Sequence, residues 1–143
     1  MIIKRSTVAA ILLAIAALHA QAAETEITLS CDGTMKAMSD VTPEALEKAT
    51  PWALKHMGLI ANLAGRTVSF GGSVFHIDSV DATKIHFSEF KESVISSDTI
   101  STVGDIDRVT GALQFIQTTS FPELNERYAY SYDLLCKPTT RQF

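Results

Sequence analysis

Four groups of residues in this chain could do chemistry. The histidines His56, His76 and His86 offer imidazoles, and a metal site would need at least two of them to converge. If Asp81-Ala82 is a two-residue turn, Ile77 faces His86 and His76 faces Phe87. These two histidines then point to opposite sheet faces and share no metal, although a one-residue slip reverses that argument. Asp105 and Asp107 lie two apart on one strand face, where a carboxylate pair could act as acid and base. Their plainer role is a solvated face, with Asp107 capping its turn. Cys31 and Cys136 are the two cysteines. They form no Cys-x-x-Cys, and two isolated thiols make a poor zinc site. No Gly-x-Ser-x-Gly elbow is present, and Gly71-Gly72 lacks the lysine and helix of a phosphate loop. The residues nominate no catalytic group, no metal and no cofactor.

The fourth group is a stripe of tyrosines. Tyr128, Tyr130 and Tyr132 alternate with Arg127, Ala129, Ser131 and Asp133, so all three share one strand face. Three tyrosines in a line could form the wall of a calyx or groove, offering apolar area and a hydroxyl each. They are the speculative ligand-binding residues of this sequence. Their plainer role is to fill the interior of a small barrel, in phase with Leu134 and Cys136.

Strands must position these groups. Ile27, Leu29 and Cys31 alternate with Thr28 and Ser30, and Cys136 ends the tyrosine strand in the same apolar phase. A Cys31–Cys136 bridge would set the first strand beside the last, closing a barrel or sealing a sandwich edge. Cys31-Asp32-Gly33-Thr34 reads as a turn, with a second short strand over 34–38. Thr42-Pro43-Glu44 reads as a cap with proline at the first helical position, so one short helix is expected near residues 43–50. Strands follow at 57–63, 67–70, 74–79 and 84–90, with Gly71-Gly72 as a hairpin signal. Ser93 to Thr102 is a weaker strand region. The clearest hairpin is Ile106 to Leu113, where Ile106 faces Leu113, Gly104 faces Phe115 and Asp105 faces Gln114. Residues 118–125 read as a loop, 127–136 as the last strand, and 137–143 as a short basic tail. About eight strands at this spacing give an all-β fold, an antiparallel barrel or sandwich.

Composition sets the wider frame. The chain has 143 residues, 46% of them hydrophobic, with 12 basic and 16 acidic side chains. That allows one domain and excludes intrinsic disorder. The net charge of -4 does not favour nucleic acid. The mean hydropathy of +0.15 is concentrated at the front. Lys4 and Arg5 precede the apolar run Val8 to Leu18, and Ala20-Gln21-Ala22 offers small residues for cleavage. Residues 1–22 therefore read as a signal peptide, and residues 23–143 as a single β domain. The apolar run is too short for the roughly 20 residues of a membrane span, so no stable membrane anchor is expected. Removing 22 residues leaves 121, with 10 basic against 16 acidic side chains, a net charge of -6. Export, to the periplasm or beyond, would let the cysteines pair.

The stretch Gly104-Asp105-Ile106-Asp107-Arg108-Val109-Thr110-Gly111 and the end Cys136-Lys137-Pro138-Thr139-Thr140-Arg141-Gln142-Phe143 resemble a group of small exported bacterial β proteins ending in Cys-Lys-Pro-Thr-x-Arg-x-Phe. Leu29-Ser30-Cys31-Asp32-Gly33-Thr34 is similar too, while the stretch from Pro43 to Trp52 departs from the group's pattern. The resemblance implies a secreted, mostly β domain with an end-to-end disulfide, and it carries no activity with it. The leading expectation is a non-catalytic exported binding or interaction module that binds a ligand or another envelope protein. The alternatives are a lipocalin-like carrier of a small apolar ligand and a periplasmic inhibitor of a cell-wall enzyme. An enzyme is the least supported reading.

Overall fold

The computed structural model describes residues 26–39 and 41–139. The expected signal peptide and the last four residues of the tail lie outside the described residues. The strands are β1 (Glu26–Met38), β2 (Pro51–Asn62), β3 (Thr67–Phe70), β4 (Ser73–Val80), β5 (Lys84–Glu92), β6 (Thr99–Asp107), β7 (Ala112–Phe121) and β8 (Glu126–Pro138). Each pairs antiparallel with the next, and β1 pairs with β8, so the sheet is a closed eight-stranded barrel. Closure removes both exposed sheet edges. The sandwich alternative is thereby set aside.

Cys31 and Cys136 form the disulfide across the β1–β8 seam, directly opposed with Cα atoms 4.0 Å apart and 105 residues apart in the chain. Both are buried. The expected turn at residues 31–34 does not form, and β1 runs unbroken to Met38. Its turn-type residues serve a register shift instead. The Asp32 carboxylate accepts the backbone N–H of His56 at 2.7 Å, opposite the irregularity between Cys31 and Gly33. Gly33 is glycine because β8 passes close: an added Cβ would meet the Asp133 carbonyl oxygen and lie 2.7 Å from Leu134 Cα.

The short helix α1 (Pro43–Lys48) forms where its cap predicts, with Thr42 Oγ1 accepting the Ala45 N–H at 3.2 Å. Lys36 Nζ donates to the Leu46 carbonyl at 3.1 Å and ties α1 to the outside of β1. The Ile106–Leu113 hairpin has the expected register throughout. Other boundaries moved. β2 begins at Pro51, residues 93–98 are a connection rather than a strand, and β7 continues to Phe121 where a loop was expected. A single 3-10 turn, Pro122–Leu124, and Asn125 at φ 52° are all that separate β7 from β8. Lys137 and Pro138 belong to β8, not to a tail.

Alternation sorts the side chains. One inward row runs Phe87, Gly104, Phe115, Tyr132 and Met35 across β5, β6, β7, β8 and β1. Tyr132 stacks on Phe115 with ring centroids 4.1 Å apart, and Phe70, Phe75 and Phe87 meet Phe115 at 5.4–6.0 Å. Aliphatic residues and the disulfide fill the layer beneath, with Leu59, Ile77, Ile85 and Leu113 fully enclosed. The interior is thus packed at mid-height, as small barrels generally are.

Candidate functional site

The tyrosine stripe divides along its length. Tyr132 belongs to the aromatic core, and burial, followed by the neighbouring Tyr130, raises its hydroxyl above the ordinary tyrosine value. Tyr130 and Tyr128 continue the same face beyond the core and are 36% and 40% exposed. Tyr128 donates to Glu126 Oε2 at 2.9 Å, and that bond raises its hydroxyl as well. Its ring meets Phe121 edge-on at 6.0 Å. The three tyrosines therefore share a face but not an enclosure. The cavity at their end of the barrel, lined by Met35, Leu54, Met57, Phe70, Phe75 and Tyr132 among others, is about 180 Å³.

Two larger concavities lie elsewhere. At the opposite end, about 430 Å³ is bounded by Ile27, Leu29, Ile85, Ile106 and the β6–β7 hairpin. The larger of these two, about 540 Å³, is a groove on the outer face of the barrel. Two outward rows line it. The first runs Thr34, Asp133, Gln114, Asp105 and His86 across β1, β8, β7, β6 and β5, each residue opposite the next. The second runs Lys36, Ser131, Ile116 and Val103 across β1, β8, β7 and β6. Leu46 of α1 stands at one end and Asp78 of β4 at the other.

Gly104 lies at the centre of this groove. An inward Cβ at this position would meet Phe115 Cβ and lie 2.7 Å from Phe87 Cζ. With no side chain inside, the β6 backbone lies close against the rings. Gly104 and the backbones of Phe87, Phe115 and Tyr132 form the groove floor.

The charges along the groove are unequal. Lys84 pairs with Asp105 at 3.6 Å, and His86 lies 3.9 Å from Asp81. Asp78, Asp105 and Asp133 face one lysine, Lys36. The Asp81 carboxyl is held below the ordinary aspartate value by the N–H groups of Thr83 and Lys84 and by the Thr83 hydroxyl. Asp107 is lowered in the same way by the N–H groups of Thr110 and Val109. Asp107 is thus the turn cap that the sequence suggested.

The expected placement of the histidines is corrected. The turn falls on Ala82-Thr83, not Asp81-Ala82, so His86 faces Ser79, and a bulge at Asp78 then shifts the β4–β5 register by one, so Ile77 faces Phe87. His76 and His86 consequently share the outer face. His56 sits apart at the β1–β2 irregularity, with φ 55°. Among the described residues, no group of three or more histidine, cysteine, aspartate or glutamate side chains is arranged to hold a metal ion.

The alternation of Asp105 and Gln114 against Gly104 and Phe115 already marked an outer polar face. Thr34, Lys36, Ser131 and Ile116 carried no signal of their own, because their alignment depends on how β1, β8 and β7 pair. No family model, curated protein or solved structure matches this chain.

Proposed function

We propose that this protein is an exported, non-catalytic binding module that engages a partner protein through the outer groove of its barrel. The observation that carries the reading is the packed aromatic layer of Phe70, Phe75, Phe87, Phe115 and Tyr132, beside a larger concavity outside. A carrier encloses most of its ligand in a pocket of roughly 300–1,000 Å³. The cavity beside the tyrosines, at about 180 Å³, falls short of that. The disulfide is compatible with export, since such bridges persist in oxidising compartments. Inhibition of a cell-wall enzyme is one form that such binding could take.

The test is hydrogen exchange of the purified protein with and without envelope extract. Protection of groove amides on β6, β7 and β8, lost in a Val103→Glu variant, is the expected result. Protection elsewhere, or none, removes the reading. One observation keeps the carrier as a second reading: the roughly 430 Å³ space bounded by Ile27, Leu29, Ile85 and Ile106. Saturable uptake of an apolar probe dye, abolished by Ile106→Trp, would favour it.

A further inference from the structure

The outer groove sets the aspartates of one row, Asp133 and Asp105, beside the apolar Ile116 and Val103 of the other, and that pairing defines what fits it. Adjacent strands lie about 4.8 Å apart, so the row from Thr34 on β1 to His86 on β5 spans about 19 Å. An extended chain rising about 3.3 Å per residue covers that distance in about six residues. The second row lies two residues along each strand, about 7 Å away. Its β7–β6 end is Ile116 and Val103, and Val103 is largely exposed. Lysine and arginine side chains have this same construction, an apolar stem several ångströms long ending in a cation.

Resting on the binding-module reading, we propose that the groove docks an extended, basic segment of a polypeptide partner, with arginine or lysine stems over Ile116 and Val103 and their cations at Asp133 and Asp105. Charge complementarity selects this occupant. The groove lining has three carboxylates to one ammonium, and the Asp133 carboxylate makes no hydrogen bond or ion pair among the described residues. Asp105 holds only Lys84, at 3.6 Å and partly exposed, a pair weak enough to exchange. Guanidinium groups suit such sites because they can bond a carboxylate through two N–H groups at once. Gln114, between the two aspartates, offers both a donor and an acceptor to the segment's backbone.

The experiment is fluorescence anisotropy of the intact protein with a labelled hexapeptide, Leu-Arg-Leu-Arg-Leu-Arg, and its glutamate counterpart. Saturable binding of the arginine peptide is expected. It should weaken about tenfold or more in an Asp105→Asn/Asp133→Asn variant, and by less than about twofold in a Glu123→Gln/Glu126→Gln variant with the same charge change at the barrel's end. Ile116→Lys, which leaves both aspartates in place, should also abolish binding, with melting curves confirming that each variant is folded. Equal binding of the glutamate peptide, equal loss in both charge variants, or full displacement by free spermine would overturn the inference. If extract protects the groove amides but the arginine peptide does not bind, the basic segment is wrong and the binding module stands. If extract leaves the groove unprotected, the binding-module reading of this face falls as well.

Discussion

Two rows of side chains, one residue apart on the same five strands, have opposite characters. Phe87, Gly104, Phe115, Tyr132 and Met35 point inward and pack ring against ring. His86, Asp105, Gln114, Asp133 and Thr34 point outward, and no side-chain packing fixes them to one another. The same backbone serves both. The inner row determines shape. Stability should therefore follow the inner row, and recognition the outer one.

The largest test of this division lies at the seam. The Cys31–Cys136 bridge closes a loop of 105 residues, for which chain entropy gives about 4–5 kcal/mol. Both sulfurs face inward, so Cys31→Ala/Cys136→Ala removes a constraint from the inner side only. Urea unfolding should show a loss of that order. A loss below about 1 kcal/mol would mean that the β1–β8 ladder closes the barrel unaided.

Next comes a pair of neighbours. Phe115→Ala empties the centre of the aromatic cluster and should cost about 4 kcal/mol, typical of a buried phenylalanine. Gln114→Ala, one residue away and outward, should stay within about 0.5 kcal/mol. Chemical denaturation of the two variants measures the contrast, and equal losses would break it. Gly104→Val sits between them. Its side chain would press on Phe87 and Phe115, so an overpacking cost of about 3 kcal/mol is expected. It should also push β6 outward and weaken arginine-peptide binding, because the floor of the groove rises.

Much of the inner row was legible in the sequence. Period-two alternation placed Tyr132, Leu134 and Cys136 on one face, and the Asp107–Gly111 turn fixed the β6–β7 register that opposes Gly104 to Phe115. The illegible parts share a cause. The β4–β5 turn falls on Ala82-Thr83 rather than Asp81-Ala82, which sets His86 opposite Ser79. A bulge inserts one residue without a distinctive residue type, and the one at Asp78 then sets Ile77 opposite Phe87. Asp32-Gly33 has turn composition, yet pairing on both sides of β1 overrides it. The tyrosine stripe carried the right phase for all three residues. Phase alone does not say where a barrel's packed layer ends, and the layer ends between Tyr132 and Tyr130. The groove was hidden because it needs five strands in register, although its polar character was visible at Asp105 and Gln114.

The smallest expected effect separates two kinds of outward aspartate. Asp81 and Asp107 each accept two backbone N–H groups at 2.7–2.8 Å and hold the β4–β5 and β6–β7 turns. Those bonds favour the charged form, so each carboxyl is lowered from its ordinary value of 3.8. A lowered folded value means that the unfolded chain binds protons first as pH falls. The stabilisation is therefore complete well above pH 3.8 and is lost as pH drops through the folded values below it. Thermal melts from pH 6 down to about pH 2.5 should show the wild type losing stability steeply at the acid end. Asp81→Ala/Asp107→Ala should melt lower at pH 6 and lose less on acidification. Asp105→Asn/Asp133→Asn, which leaves both turns intact, should keep most of the wild-type acid slope. If it flattens the slope as much as the turn variant does, the groove aspartates contribute to stability as well as to recognition, and stability does not divide between the inner and outer rows.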